Sequence, residues 1–565
     1  MKLTRFTILL AVIVLLATFY RLYKLDFYPQ HFDNDESVLA YDAWSIWQTG
    51  ADHHGAVLPN HFRAFNEYLP GLAQYITAPF VGLLGLNEST ARLPFALMGI
   101  GTVFLTALIG RKWFGETAGL LAALLLATEP WHIAFSRLTL VNSSVPFFTV
   151  LSLYNFTIAV EKLYSGNRWR RSTVVWIALS ALSFALLTRT YQPLKIEAPL
   201  LFGGCLVALL IYQRSNWRTV LLWGSLYVVF TSPQWIDQLI HWNLFQVQFN
   251  SNNILHEDNW PLMFLYHYYS QYDFGNMFVN GFGGGQSLHP PGIGQLFWLE
   301  IFLWIAGIIG LARKRLTQET HFSLVFLIGW WFFIWPIAAS LTLTDVPTET
   351  RTINFLPLPE LFAGYGAMVI FFAVKGMKKG LQQLLVNTAL GTAVAIYVVY
   401  NIYFVALISV ILRDTPNSSL GVGVIPYNVG YEAILQTVLS QASDCDAIWI
   451  DQAGTTQAYI YYLFFSKYPP KKFQETARFE ISLPPDNWNY IPWFANVRFG
   501  KVDVLLDPSK FKYTPAPLCP SNHRFIIARQ ALNRPDLEEI ATSKSSNGNV
   551  LWAAYRQDTI KAITP

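Results

Sequence analysis

Charge is scarce in this chain. Of 565 residues only 13% are Asp, Glu, Lys or Arg, against 53% hydrophobic and 16% aromatic, and the mean hydropathy is +0.32. Ordinary soluble domains carry roughly 25% charged residues, so a single water-soluble domain is excluded. Disorder is excluded too, because it needs low hydrophobicity with high net charge. A net charge of +4 gives no reason to expect nucleic acid. Three cysteines cannot build a disulfide scaffold. No HExxH or CxxC spacing marks a zinc site. The stretch GFGGG at 281–285 lacks the Lys-Ser/Thr that follows a phosphate loop. No 20–50-residue repeat or low-complexity tract stands out.

Long apolar runs are abundant instead. A helix needs roughly 20 mainly apolar residues to cross a bilayer, and eleven windows qualify: 6–22, 92–110, 117–134, 139–160, 173–190, 195–213, 219–236, 295–312, 322–342, 354–374 and 384–411. No small-x-small cleavage site follows the first, which is therefore predicted to stay attached. The stretch 71–86 is apolar but short, contains Pro79, and reads as an interfacial or re-entrant helix. Basic residues in short loops report orientation. With the N-terminus inside, the inner loops hold sixteen Lys and Arg against three acidic residues, while the long outer loop 237–294 holds no Lys or Arg. Counting 71–86 as a span would put the basic clusters outside. The prediction is a multi-pass cell-membrane protein with a cytoplasmic N-terminus, in contact with membrane lipids.

Residues 413–565 are a different material, richer in charge and without a spanning window. Strand-like runs at 447–451, 502–506, 524–528 and 550–555 alternate with helical patterns at 430–442 and 455–466. This predicts a soluble extracytoplasmic α/β domain. Cys445 and Cys519 both fall in it, either bonded to each other or as separate thiols.

The chemistry collects on the outer side. Asp33, Asn34, Asp35 and Glu36 lie in the first outer loop, 23–91. Arg92, Arg137, Arg189 and Arg351 each stand alone at the outer end of a different span. A charge at the bilayer centre costs ~2.5–3.5 kcal/mol on insertion scales, which makes such residues functional candidates. Arginine at a helix end also snorkels to headgroups, and an acidic pair in a loop is often a solvated turn. Four arginines gathered by bundle packing, however, would bind phosphate through bidentate hydrogen bonds. Asp33-Asn34-Asp35 has the DxD form of cation-binding transferases, and Asp52-His53-His54 is capable of holding a metal. With several arginines available a divalent cation is possible but not required, so no cofactor and no metal ligand are assigned. His267 and His289, in the long outer loop with Tyr266, Tyr268 and Tyr269, are candidates to line a substrate pocket, with ordinary loop packing as the alternative. Tyr191 and Gln192, just after Arg189, have a better claim because they adjoin a candidate phosphate ligand, and Glu67 is a further substrate-binding candidate.

The segment FDNDESVLAYDAWSIWQTGADHHGAVLPNHF (32–62) resembles the first-loop pattern of glycosyltransferase family 39. The similarity continues through LNESTARLPFALMGIGTVFLTALIGRKWFG (86–115), EPWHIAFSR (129–137), GIGQLFWLE (292–300) and TETRTINFLPLPELFAGYG (348–366). The wider group is the GT-C superfamily, which includes protein O-mannosyltransferases and the aminoarabinose transferases of lipid A. The resemblance implies a GT-C-like transmembrane catalytic domain over 1–412 that takes a sugar from a polyprenyl-phosphate carrier at the extracytoplasmic face. It places the catalytic acidic pair on Asp35 and Glu36, and arginines of the family on Arg92 and Arg351. One departure stands in the first loop. Relatives carry Lys-Pro-Pro near Glu67-Tyr68-Leu69-Pro70-Gly71, and Leu69 occupies the place of the lysine. Lys195 or Arg189 is then left to supply that phosphate contact. No β-trefoil is recognisable in the C-terminal part.

The expected reaction is inverting transfer to an acceptor hydroxyl on a glycan, lipid or protein. Asp35 is the general base, Glu36 orients the acceptor or shares the role, and arginines stabilise the leaving phosphate. The alternatives are a polytopic transporter or lipid-carrier flippase, and a binding protein for glycan or lipid. Transporters favour midplane polar sites and inverted repeats, whereas most charge here is near the outer ends. A binding protein would not need the acidic pair.

Overall fold

The computed structural model describes residues 4–558 apart from 30–31, 66, 165–169, 212–216, 243–251, 282–293, 314–318, 345, 378–379, 415–428, 453–456, 482–488, 503–505, 507–522 and 545–547. Helix α1 (Arg5–Leu22) starts at Thr4, whose hydroxyl accepts from the Thr7 N–H. Helix α2 (Asn34–Thr49), a hairpin of β1 (His61–Ala64) and β2 (Glu67–Pro70), and α3 (Leu72–Leu84) follow. Next come α4 (Glu88–Phe114), α5 (Glu116–Thr128) and α6 (Pro130–Ser136), the last two meeting at a bend of 63°. Proline lacks the N–H a continuing helix needs, so Pro130 starts a new helix here. The helical part closes with α7 (Val145–Tyr164), α8 (Arg171–Thr188), α9 (Leu194–Ile211), α10 (Trp217–Ile240), α11 (Trp260–Ser270), α12 (Glu300–Arg313), α13 (Glu319–Ile334), α14 (Ile337–Ser340), α15 (Leu358–Lys375) and α16 (Leu381–Asp414).

Each of the eleven predicted windows holds a helix. Among the described residues eight helices are long and apolar enough to cross a membrane, and the bent α5–α6 pair makes a ninth. The other two windows fall short for different reasons. Helix α12 has only 14 residues. Helix α10 has 24, but Trp, Ser, Gln and Asp dilute its apolar character. At 13 residues α3 is too short to span. The chain is a multi-pass membrane protein. Its helices approach closely where side chains are small: a Cβ added at Gly110 of α4 would lie 2.7 Å from the Cα of Gly119 in α5.

After α16 come α17 (Tyr431–Gln441), β3 (Ala447–Asp451), α18 (Ala458–Ser466) and α19 (Pro470–Thr476), then β4 (Arg478–Ile481), β5 (Asn489–Phe494), β6 (Val497–Gly500), β7 (His523–Ala528), β8 (Glu538–Lys544) and β9 (Val550–Asp558). The strands form one sheet in the order β4-β5-β6-β3-β7-β9-β8. Strand β3 is parallel to both neighbours, and the remaining pairs are antiparallel. The predicted strands at 447–451, 524–528 and 550–555 and both helices are present. The run 502–506 is different: the Leu506 N–H donates to the Val502 carbonyl as in a helical turn, and 503–505 lie outside the described residues. Cys445 is disulfide-bonded, Cys205 is a free buried thiol, and Cys519 lies outside the described residues.

On the face that carries α17 and α18, the buried core of the sheet domain is continuous with the first loop. Ile448, Ile450, Phe525, Tyr459 and Phe464 share one buried cluster with Phe32, Val38, Tyr41 and Ala43 of the first loop. Phe32 stacks on Phe464 with centroids 4.5 Å apart, and the Tyr41 hydroxyl donates to the Tyr468 carbonyl at 2.6 Å. Two segments some 400 positions apart in sequence therefore bury each other's apolar faces, and neither keeps that surface dry alone.

Candidate functional site

Successive residues of a helix diverge by about 100°, so the first turn of α2 sends three neighbouring side chains in three directions. Glu36 points into the membrane helices. Arg92 of α4 donates to it twice, Nε to Oε1 and Nη2 to Oε2, both at 3.0 Å, and the Thr139 N–H donates to Oε1 at 2.8 Å. Neither side chain of this ion pair is exposed. Glu36 also accepts from the backbone of Asp33, completing a capping box at the start of α2. Asn34 points to the sheet domain, donating through Nδ2 to Oε1 of Gln457 just before α18, while its backbone N–H meets the Tyr461 hydroxyl.

Asp35, between them, keeps its solvent access although protein crowds it on every side. It lines a recess. Crowding by protein, then the carboxylates of Asp33, Glu67 and Glu36, push its carboxyl up to about 8. Tyr191, beyond α8, hydrogen-bonds Arg351 and lies within electrostatic range of Glu67 and Asp35; burial pushes its phenol up to about 12. Arg351 also donates to the Thr342 hydroxyl at 3.1 Å and the Thr344 carbonyl at 2.6 Å. Four predicted residues, Asp35, Glu67, Tyr191 and Arg351, thus share one site.

A cationic group adjoins it across the β1–β2 hairpin. Lys195 Nζ, at the start of α9, lies 3.3 Å from Nε2 of His61, and His61 Nδ1 lies 2.6 Å from Oδ2 of Asp237 near the end of α10. Burial first and the Lys195 ammonium second push His61 down to about 4, against its bond to Asp237. The imidazole is therefore neutral at physiological pH, an Asp237-oriented acceptor for the ammonium. Arg189 lies in range of the same imidazole and donates from Nη2 to the Phe230 carbonyl at 3.2 Å. Gln192 ties the two groups together by donating to the Tyr68 carbonyl of β2.

Other predicted residues have different work. Arg92 is committed to Glu36 and to the carbonyls of Leu25 and Pro29 at 3.3 and 3.0 Å. Arg137 gives its donors to the carbonyls of Tyr20, Tyr23, Lys24 and Tyr28 at 2.9–3.2 Å. These include orphan carbonyls at the end of α1, which a guanidinium satisfies. Arg92 and Arg137 thus spend these donors on protein partners, and Glu36 ties α2 to the membrane helices. His267 is buried in α11 and, among the described residues, makes no hydrogen bond or ion pair to the Asp35 group. His289 lies outside the described residues. Asp52 accepts from the N–H groups of His54 and Ala56, and His53 pairs with Asp42 at 2.6 Å. Among the described residues no group of three or more His, Cys, Asp and Glu has metal-binding geometry.

Sequence reasoning missed His61, Asp237, Gln457, Tyr461 and Arg21. Arg21, fully buried, donates to the carbonyls of Leu126 and Ala127 at 3.1 and 3.0 Å and meets His132 Nδ1 at 2.6 Å, capping the α5–α6 break. Its signal was present, a lone arginine at the end of a span. The other four carry no local signal, because only folding brings them near α2 or Lys195.

Residues 69–236 match the family model described as dolichyl-phosphate-mannose-protein mannosyltransferase. A Bacillus subtilis (strain 168) relative with the provisional name mannosyltransferase YycA is 24% identical over 218 residues, 38% of this chain and 29% of that protein. The chain spans about a third of the length of the curated relatives it matches. Among solved structures, ArnT from Cupriavidus metallidurans bound to undecaprenyl phosphate aligns with a TM-score of 0.54 at 13% identity, covering 97% of both chains. The Archaeoglobus fulgidus oligosaccharyltransferase AglB, in complex with an inhibitory peptide and a dolichol-phosphate, aligns at 0.52 with 12% identity, covering 82% of this chain and 63% of that one. The chain thus has the GT-C glycosyltransferase fold and resembles glycosyltransferase family 39.

Proposed function

We propose that this protein moves a sugar from a polyprenyl-phosphate carrier to an acceptor hydroxyl at the extracytoplasmic face, with inversion at the anomeric carbon. Asp35 is the general base. Its carboxylate takes the acceptor O–H proton, the freed oxygen bonds to the anomeric carbon, and the bond from that carbon to the carrier phosphate breaks. The phosphate leaves already ionised and needs no acid. Arg351, Lys195 and Arg189 are the cations that hold it and take up the growing charge. One such donor is worth about 3 kcal/mol, or two orders of magnitude in rate. Tyr191 sets the Arg351 guanidinium, and Glu67 borders the sugar. Glu36, Arg92 and Arg137 hold the frame.

The observation that carries this reading is a recessed, solvent-reached carboxylate beside a tyrosine-held guanidinium, with an ammonium across the hairpin. The sugar and acceptor are left to experiment. In detergent with undecaprenyl-phosphate mannose and undecaprenyl-phosphate aminoarabinose as donors and a cell-envelope extract supplying acceptor hydroxyls, the purified full chain is expected to release undecaprenyl phosphate from one of them, and Asp35→Asn to release none. Near-normal turnover by Asp35→Asn rejects the base assignment. Three cationic side chains cover the phosphate charge, so activity is expected to survive EDTA; loss restored by Mg²⁺ or Mn²⁺ rejects that part.

A further inference from the structure

The catalytic turn of α2 is held from two sides. From the membrane helices, Arg92 and the Thr139 N–H grip Glu36. From the sheet domain, Gln457 grips the Asn34 side chain and Tyr461 meets the Asn34 N–H. Farther along α2, the Tyr468 carbonyl accepts from Tyr41 at 2.6 Å, and Gln474 of α19 donates to Ser45 Oγ at 3.2 Å and the Asp52 carbonyl at 2.7 Å. Helix α18 and the chain around it thus follow α2 along its length. Gln457 and Tyr461 are both buried, one helical turn apart, on the face of α18 that meets the first turn of α2.

We infer that the sheet domain is a working part of the reaction centre, and that Gln457 and Tyr461 are positioning residues that set where Asp35 stands. The inference rests on Asp35 being the base. Neither residue is assigned to substrate; both act through Asn34, one position from the reacting carboxylate. A side chain at the mouth of a helix swings with that helix's first turn. Loosening the Asn34 grip lets the turn fray, as helix ends do when a cap is lost. Misplacement of a catalytic group by about 1 Å can cost up to 10²-fold in rate. Donor binding does not depend on that turn, because Arg351, Lys195 and Arg189 come from other elements. The signature is therefore a fall in kcat with an unchanged donor KM. The same loosening admits water around Asp35, which moves its titration toward that of an ordinary carboxylate.

The test uses the full-length protein in detergent, as Tyr461→Phe and Gln457→Ala. Folding and donor-site integrity are checked by thermal melting and by undecaprenyl phosphate binding, expected within twofold of the parent. The first readout is turnover of whichever undecaprenyl-phosphate sugar the parent uses: kcat is expected to fall about tenfold or more, with KM within twofold. The second needs no substrate. The pH midpoint for carbodiimide labelling of Asp35, read by mass spectrometry, is expected to move to lower pH in both variants. An unmoved midpoint together with kcat within twofold, in variants that bind undecaprenyl phosphate normally, overturns the inference. If Asp35→Asn itself retains turnover, the base assignment has failed instead, and the two failures are told apart.

Discussion

Asn34, Asp35 and Glu36 are neighbours in sequence with three different fates. The two carboxylates differ because Glu36 is paired and buried while Asp35 is crowded by protein and by other carboxylates yet reaches solvent. A buried Glu36 with two Arg92 donors, the Thr139 N–H and a capping bond is held fixed. Removing one partner of a buried pair costs about 3–5 kcal/mol. Arg92→Ala is therefore expected to lose that much stability, seen as a large drop in melting temperature. Arg351→Ala, by contrast, is expected to melt within a few degrees of the parent while losing donor binding. Asp35 has the opposite balance. Its raised titration, about 8 in the folded protein against about 3.9 in an unfolded chain, means that the native state keeps a proton the unfolded state has lost. Stability then falls as pH rises from about 4 to about 8. Asp35→Asn removes this penalty, so it is expected to melt higher than the parent at pH 8 and to converge with it near pH 4. Activity in the parent runs the other way, kcat/KM rising with pH until Asp35 has ionised. A parent pH–rate profile already flat from pH 6 upward argues against Asp35 as the titrating base.

Among the elements, the β1–β2 hairpin decides more than its four-residue strands suggest. It places Glu67 beside Asp35 and Tyr191 on one side, and His61 beside Lys195 on the other. Beside it, Lys195 of α9 meets His61, which Asp237 orients. Asp237→Asn is expected to leave the fold intact and weaken undecaprenyl phosphate binding several-fold, because the imidazole that fixes Lys195 loses its own anchor. Unchanged binding would remove Lys195 from the phosphate site. The α4–α5 pair shows the same dependence on small features. Gly110 and Gly119 permit backbone contact, and Gly119→Val is expected to lower the melting temperature markedly by forcing the two helices apart.

For the whole molecule, the sixteen inner-loop cations argue that the sheet domain and the Asp35 recess face the extracytoplasmic side. That orientation is a proposal with a direct check. In spheroplasts, a membrane-impermeant maleimide is expected to label Glu538→Cys, an exposed sheet position, and to label Arg111→Cys only after lysis. The reversed pattern inverts the topology. A boundary near residue 412 is crossed by one shared cluster of first loop and sheet domain, while other clusters lie wholly on one side of it.

The apolar windows, the basic loops and the acidic run after the first span were legible because each is a local pattern: bilayer thickness fixes helix length, and charge placement fixes orientation. The sequence by itself therefore determined that the chain crosses a membrane several times and carries Asp35, Tyr191 and Arg351 as candidates. It did not separate Arg351 from Arg92 and Arg137, since four single arginines at helix ends look alike until their partners are known. Tertiary structure decided that two of them satisfy carbonyls and a buried glutamate. It also brought His61 to Lys195 and Gln457 to Asn34, across 134 and 423 positions. Contacts over such distances depend on which faces pack, and packing is a property of the assembled chain rather than of any window within it.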